Sequence, residues 1–166
     1  MGERLTENDV KKIQEEIMYR KLVVRKNAIE AVKEARAQGD LSENFEYYAA
    51  KKDKNQNEGR IRYLERMLKN AEIVTEQSNA DEVGMNNTVE LYFEEDDEVQ
   101  TFKLVTSIRG NSLKGYISIE SPIGKAILGH KVGERVEVKV REDYSYYVEI
   151  RSIENTDDSG DSIRKF

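Results

Sequence analysis

The sequence predicts an α+β protein, with an N-terminal antiparallel α-helical coiled-coil hairpin followed by a small antiparallel β-sheet domain that carries a short helix. Apolar side chains recur at helical spacing through the first 74 residues, where proline is absent, and Gly39 interrupts that pattern. After Val74 the chain changes to short runs of alternating apolar and polar residues between turn residues. We therefore expect a hairpin over 1–76, a linker over 77–82, a globular domain over 83–154 and a polar tail over 155–166.

The first helix is predicted from the spacing of its apolar residues. Between Val10 and Ala35 these residues recur at steps of three and four, and Lys21 takes one of the positions. Thr6 is a suitable N-cap, since its hydroxyl can accept from the first free N–H groups of a helix. The pattern predicts an uninterrupted helix from about Glu7 to about Gln38.

A second helix is predicted directly after Gly39, which suits the position just past a helix end. Asp40 would be its N-cap and Glu43, three residues on, would complete a capping box, so the helix would begin near Leu41 or Ser42. Its inner positions are polar in the middle, and Gly59 lies within the pattern. We expect the hairpin to be held mainly at its base, by Ile13, Ile17, Ile61, Leu64 and Leu68.

The second half contains five strand-like runs, at 88–93, 101–105, 116–119, 136–140 and 146–153. Ser121 and Pro122 are typical of an N-cap and a first helical turn, and they predict a short helix before Gly129. Ile123, Ile127 and Leu128 of this helix would pack on the sheet. Beyond about Glu154 the residues are polar, and we expect a frayed end.

Composition excludes several classes of function. Charged residues make up 36% of the 166 residues, and no apolar run approaches the roughly 20 residues of a membrane span. No signal peptide is visible, so we expect a cytoplasmic protein without a membrane partner. Cysteine is absent, which excludes disulfides and thiol catalysis. His130 is the single histidine, so a histidine metal site or a Ser-His-Asp triad is not expected.

Charge is unevenly divided along the chain. Residues 1–74 hold 16 Lys and Arg against 14 Asp and Glu, whereas residues 75–166 hold 11 against 19. The total of -6 argues against simple binding to duplex nucleic acid. The uneven division indicates two segments with different roles.

The end of the predicted hairpin combines acidic and basic residues. Asp40 and Glu43 would lie close together there, with Arg36 on one side and Lys51 and Lys52 on the other. One interpretation is structural, since carboxylates suit a helix N-terminus as caps. The other is chemical, because a cap does not need to sit at the far end of a rod among cations. Spacing alone leaves both open.

The residues of this end resemble a known family. Residues 39–47 read Gly-Asp-Leu-Ser-Glu-Asn-Phe-Glu-Tyr, and Ala49-Ala50-Lys51 and Glu58-Gly59-Arg60-Ile61 follow. In the second half, residues 121–129 read Ser-Pro-Ile-Gly-Lys-Ala-Ile-Leu-Gly, and Gly133-Glu134-Arg135-Val136 follow. Together they resemble the bacterial GreA/GreB transcript-cleavage factors, GreA most closely.

The resemblance implies a fold and a mechanism. The globular domain would have the FKBP-like fold and dock on RNA polymerase, and the hairpin would enter the secondary channel of that enzyme. Asp40 would help to hold a Mg²⁺ shared with the polymerase, and Glu43 would orient the attacking water. Arg36, Lys51 and Lys52 would contact the 3′ end of the backtracked nascent RNA. The protein would act as a monomer that stimulates cleavage by the polymerase and is not itself an enzyme.

Some positions depart from the family pattern. Phe45 stands where alanine is usual, residues 54–57 are more polar than usual, and Asn27 replaces a common proline. None of them changes Asp40 or Glu43. The alternatives are an inhibitor of similar shape that blocks the secondary channel, a prolyl isomerase suggested by fold analogy alone, and a plain coiled-coil adaptor. The intact tip favours the cleavage factor over the inhibitor.

Overall fold

A computed structural model describes residues 2–38, 44–75 and 81–163. Contacts divide the chain into two compact units. The helical unit contains Asp9–Ala71, and the sheet unit contains Arg4–Asn8 together with the chain from Glu72 onward. The predicted α+β class, a helical hairpin followed by a mostly antiparallel sheet, is confirmed.

The helical unit consists of one interrupted helix and one continuous helix. The first comprises α1 (Glu7–Tyr19), a π-helical turn (Arg20–Val24) and α2 (Arg25–Ala37), and the second is α3 (Phe45–Asn70). Both flanking positions of the π-helical turn keep right-handed helical dihedrals, so the chain direction continues through it. Within the described ranges, the structure contains no helix long and apolar enough to cross a membrane.

The π-helical turn corrects the predicted uninterrupted α-helix. The Arg20 carbonyl accepts from the Arg25 N–H, five residues on, and also from Asn57 Nδ2 of α3 at 3.3 Å. Arg20 Nη1 in turn donates to Asn57 Oδ1 at 3.0 Å. A side chain that bonds into the backbone ladder is a known cause of such irregularities. Asn57 therefore accounts for the extra residue in this turn.

Polar contacts fill the middle of the hairpin. Arg60 is 5% exposed and donates to Glu16 at 2.8 Å, and Arg20 donates to the same carboxylate at 2.7 Å. Burial by itself raises the pKa of Glu16, but hydrogen bonds and charge from Arg60 and Arg20 outweigh it and lower the pKa. Arg25 and Glu58 form a bidentate pair at 2.8 Å. These contacts lie in the middle of the hairpin, where the sequence predicted polar inner positions for the second helix.

Apolar burial in the hairpin is concentrated at the predicted base. Ile13, Ile61 and Leu64 are buried as expected, and Met67, which the sequence pattern did not single out, is buried with them. Ile17 and Leu68 are only partly buried. The base is therefore apolar, but fewer of its predicted residues are fully buried than expected.

The sheet unit contains a short parallel pair and a five-stranded sheet. The pair is β1 (Arg4–Leu5) with β2 (Glu72–Ile73). The sheet has the order β5-β4-β3-β7-β6, with the bounds Asn87–Phe93 for β3, Glu98–Val105 for β4, Tyr116–Ser118 for β5, Arg135–Arg141 for β6 and Tyr144–Asn155 for β7. Neighbouring strands of this sheet pair antiparallel, except that β4 and β5 pair in parallel. The predicted all-antiparallel sheet is therefore wrong for this one pair.

One helix, α4 (Pro122–Ile127), contributes to the core of the sheet unit. The Ser121 hydroxyl accepts from the Gly124 N–H at 3.1 Å, so the predicted N-cap is confirmed. A side chain at Gly124 would meet the Ser118 carbonyl oxygen at 2.0 Å, so close packing against the end of β5 requires glycine there. Ile127 is fully buried as predicted, whereas Leu128 is 38% exposed and does not pack as expected. The buried core comprises Val83, Val89, Leu91, Leu104, Ile119, Ile127, Val136, Val138, Val148 and Ile150.

The end of the described chain packs on the sheet unit, where fraying was expected. Asp161 accepts from Lys103 Nζ at 3.0 Å and from Arg109 Nη1 at 2.9 Å. Exposed fractions of the three side chains are 2% for Asp161, 10% for Lys103 and 0% for Arg109. Asp158 accepts from Asn8 Nδ2 at 3.5 Å. Polar residues hold this segment because buried cations from β4 and the following turn need a counter-charge.

Candidate functional site at the end of the hairpin

The candidate site lies at the connection between α2 and α3. The last turn of α2 closes with the Gln38 N–H donating to the Ala35 carbonyl at 3.3 Å, and α3 begins at Phe45. The connecting residues 39–43, which include Asp40 and Glu43, lie outside the described residues. The roles predicted for these two carboxylates remain predictions.

Asn44, and not Asp40, is the N-cap of the second helix. Its Oδ1 accepts from the Tyr47 N–H at 3.0 Å, and its Nδ2 donates to the Ala35 carbonyl at 2.6 Å. Asparagine caps as well as aspartate does, but only its amide can also donate to a carbonyl across the hairpin. The predicted capping box of Asp40 and Glu43 and the predicted start near Leu41 or Ser42 are therefore wrong. With Asn44 as the cap, the structural role proposed for Asp40 is no longer needed.

Arg36 of α2 contacts Tyr47 of α3. Its Nη2 lies 3.5 Å from the Tyr47 hydroxyl, and its guanidinium carbon lies 5.5 Å from the centre of the ring. The hydrogen bond from Arg36 lowers the pKa of Tyr47, and the charges of Arg36 and Lys51 act in the same direction. Tyr47 is 9% exposed and thus nearly buried beside α2. The RNA contact proposed for Arg36 is not tested by this geometry.

Lys51 and Lys52 are exposed on α3, one and a half to two turns after its start. They line a shallow groove whose remaining lining residues are Tyr48, Asn55, Gln56 and Gly59. Phe45 and Tyr48 are also exposed, by 86% and 52%. The sequence analysis predicted an RNA contact for the two lysines, which stays a prediction, and it did not consider the exposed aromatic side chains beside them as functional.

The described residues do not form a metal site. Over 2–38, 44–75 and 81–163 there is no group of three or more His, Cys, Asp or Glu side chains placed to hold an ion. Mg²⁺ prefers oxygen ligands and near-ideal octahedral geometry. Asp40 and Glu43 could offer two carboxylates, and the described side chains nearest to them in sequence, Arg36 and Asn44, include no third. Two carboxylates are fewer ligands than Mg²⁺ takes, so Asp40 and Glu43 would fit no more than a part of a magnesium site.

Comparison with known protein families gives two matches that together span most of the chain. Residues 3–73 match the family described as "Transcription elongation factor, N-terminal", of GreA and GreB. Residues 77–155 match "Transcription elongation factor, GreA/GreB, C-term". The first match contains the hairpin and its end, and the second contains the five-stranded sheet.

Similar full-length proteins come from several bacteria. The transcription elongation factor GreA of Caldanaerobacter subterraneus subsp. tengcongensis is 46% identical over 137 residues, which are 82% of this chain and 87% of that protein. GreA of Agrobacterium fabrum is 41% identical over 135 residues, 81% and 85% of the two chains. A solved structure of the transcription factor Gfh1 covers 92% of this chain and 97% of its own, at 26% identity and a TM-score of 0.46.

Proposed function

Because the chain belongs to the GreA/GreB family of transcription elongation factors, we propose that it stimulates RNA polymerase to cleave backtracked nascent RNA. In this proposal the hairpin enters the secondary channel and its end reaches the active centre of the polymerase. The protein acts as a cytoplasmic monomer and supplies no complete catalytic site of its own.

The observation that carries the proposal is the bridge made by Asn44. Because this residue both caps α3 and bonds the end of α2, the two helix ends are held together without any carboxylate. Asp40 and Glu43 lie in the five residues between these ends and are not needed as caps. In this proposal their role is chemical.

Each residue has a defined role in the proposed cleavage. Asp40 supplies one oxygen ligand to a Mg²⁺ whose remaining ligands belong to the polymerase, and Glu43 orients the attacking water and accepts its proton. When bound, the metal stabilises charge that develops on the phosphate oxygens. Lys51 and Lys52, exposed on α3, neutralise phosphates of the RNA. Arg36, already beside Tyr47, adds positive charge on the α2 side.

The test is a stalled, backtracked transcription complex with labelled RNA, to which purified protein is added. We expect Asp40→Asn to lose most of the stimulation while the free energy of unfolding stays unchanged. Asn44→Ala is the matched capping variant, and it should lower stability by about 0.5–2 kcal/mol. Asp53→Asn, at an exposed α3 carboxylate, is the charge control and should behave as wild type.

Three results would contradict the proposal. Wild-type cleavage by Asp40→Asn would remove this carboxylate from the chemistry. A wild-type protein that slows elongation and never provokes cleavage would favour the channel-blocking alternative. Cleavage of free RNA by the pure protein would contradict the claim that the polymerase supplies the rest of the site.

A further inference from the structure

One side of α3 carries exposed aromatic, basic and amide side chains in a single row. Phe45, Tyr48, Lys52 and Asn55 are three or four residues apart and therefore lie on the same side of the helix. All four are exposed, Phe45 by 86% and Tyr48 by 52%. We call this row and the adjacent Lys51 and Gln56 the outer α3 face.

The outer α3 face is concave beside Tyr48. A groove of about 550 Å³ is lined there by Tyr48, Lys51, Lys52, Asn55, Gln56 and Gly59. Its wall thus offers one aromatic ring, two ammonium groups and two amides. Gly59 adds no side chain, and a methyl group there would meet only Arg62 Nη2, at 3.8 Å.

The net charge of this face is positive. Between Phe45 and Gly59 the carboxylates are Glu46, Asp53 and Glu58. At about 3.6 residues per turn, Glu46 and Asp53 fall on other sides of the helix, whereas Glu58, seven residues after Lys51, lies at the edge of the face. The charge of Glu58 is balanced there by Arg25, which donates to it at 2.8 Å. Within this described part of α3, the face therefore combines two lysines with one edge carboxylate that is already paired, which suits a polyanion.

The two aromatic side chains project from an ordered turn. Asn44 caps the turn and bonds to Ala35, and Tyr47 is held by Arg36. The Tyr48 ring packs against Tyr47 with centroids 5.5 Å apart and planes at 60°. Because the turn is fixed before any ligand arrives, little ordering is needed on binding.

We propose that the outer α3 face is a stacking platform for single-stranded RNA. Phe45 and Tyr48 stack on two successive bases, Lys51 and Lys52 contact the phosphates between them, and Asn55 bonds a base edge. Exposed aromatic rings beside a basic groove are the usual means of binding unpaired nucleotides without sequence preference. The proposal rests on the proposed function, which brings the hairpin to the nascent transcript. It assigns a role to Phe45, where the resemblance would place alanine.

The chain contains no tryptophan, so a single tryptophan can report on this face. In full-length Phe45→Trp, addition of a short single-stranded oligoadenylate or oligouridylate should quench the emission in a saturable way. The apparent affinity should fall with added salt, because phosphates release counterions on binding. Tyr19→Trp, at a position 58% exposed on α1, is the control reporter and should not respond.

Affinity can be measured separately by the anisotropy of the labelled RNA. We expect Phe45→Ala to weaken binding by about 5- to 150-fold, as loss of one stacked base does. Phe45→Tyr should keep the affinity, whereas Phe45→Leu, which retains apolar bulk without a flat ring, should not. Equal affinity of Phe45→Ala and wild type would overturn the platform. Equal binding of inorganic polyphosphate would do the same, because it has charge but no bases.

The outcomes separate this inference from the proposed function. If RNA quenches Phe45→Trp but the wild-type protein provokes no cleavage in stalled complexes, the platform stands and the cleavage proposal fails. If cleavage is normal and RNA leaves the emission unchanged, the platform alone fails. A response to polymerase without RNA, and none to the oligonucleotide, would show that the face docks on protein and would overturn the RNA assignment.

Discussion

The buried core of the sheet unit consists of apolar side chains, whereas the middle of the helical hairpin contains buried polar ones, Asn57 and Arg60. In the first region the driving force is removal of apolar surface from water, which depends little on direction. In the second, Asn57 and Arg20 exchange two hydrogen bonds and Arg60 is held by Glu16. Such bonds contribute less net free energy, but they require one register of the two helices.

The sheet unit also contains a buried charged cluster, and it differs in kind from the polar contacts of the hairpin. Arg109 and Lys103 share Asp161, and all three side chains are nearly or fully buried. In the hairpin, Glu16 is 23% exposed and its partner Arg20 is 30% exposed. Loss of a charge should therefore cost much more in the sheet unit than in the hairpin, since water cannot replace the missing partner there.

The largest expected effect comes from Asp161→Asn. This change keeps the side-chain shape and leaves Lys103 and Arg109 buried without their counter-charge. We expect a loss of about 3–5 kcal/mol in the free energy of unfolding, measured by urea denaturation. Asp143→Asn is the control, because Asp143 pairs with Arg141 at the surface and is 79% exposed. A loss no larger than that of the control would mean that the packed tail does not stabilise the sheet unit.

The same carboxylate should make stability depend on pH. Burial by itself raises the pKa of Asp161, but hydrogen bonds and charge from Lys103 and Arg109 outweigh it and lower the pKa. A lowered pKa stabilises the folded state above the unfolded value of about 3.9 and loses that contribution as the pH falls further. Wild-type stability should thus decline below about pH 4 more steeply than that of Asp161→Asn. Parallel pH curves for the two proteins would contradict this.

Ile127→Ala and Leu128→Ala compare burial at adjacent positions of one short segment. Ile127 is fully buried in the core, so its truncation should cost about 2–5 kcal/mol. Leu128 is 38% exposed and should cost less than about 1 kcal/mol. Chemical denaturation followed by near-ultraviolet circular dichroism of the tyrosines measures both. Similar losses of stability in the two variants would mean that Leu128 is buried in the core as Ile127 is.

Asn57→Ala tests the polar middle of the hairpin. Asn57 is 4% exposed and bonds Arg20 twice, so its loss should cost about 1–2 kcal/mol. Amide hydrogen exchange over residues 20–25 should also change, because the Arg20 carbonyl then lacks the Asn57 donor. Asn55→Ala, two positions away and exposed, is the control and should change stability by less than about 0.5 kcal/mol. Unchanged hydrogen exchange in Asn57→Ala would show that the π-helical turn does not depend on this asparagine.

The smallest expected effect is a gain of stability. Gly59 lies inside α3 with ordinary helical geometry, and a methyl group would meet only Arg62 Nη2 at 3.8 Å. Gly59→Ala should therefore stabilise the protein by about 0.5–1 kcal/mol through helix propensity. Gly124→Ala is the contrasting variant, since the Ser118 carbonyl would lie 2.0 Å from its methyl group. Thermal denaturation should show a rise for the first and a fall for the second.

Local chemistry was sufficient to predict many elements. Ser121 and Pro122 predicted the start of α4, because an N-cap hydroxyl and a first-turn proline act within one turn of the chain. Alternation predicted five strands of the sheet, and helical spacing predicted the two arms of the hairpin. The family resemblance also came from contiguous residues at the hairpin end and around α4, and the family is confirmed.

Other structural features depend on contacts between residues that are distant in the sequence. The sequence predicted Asp40 as the cap of α3, but Asn44 takes that place, and its amide also reaches the Ala35 carbonyl. The π-helical turn depends on Asn57, 37 residues after Arg20. The packed tail depends on Asp161 meeting Lys103 and Arg109, which are more than 50 residues away. The sequence by itself determined which element each segment can form, because caps and periodicity are local. The tertiary structure decided which polar groups pair, because the partner of a buried donor or charge must lie close in space and can be distant in sequence.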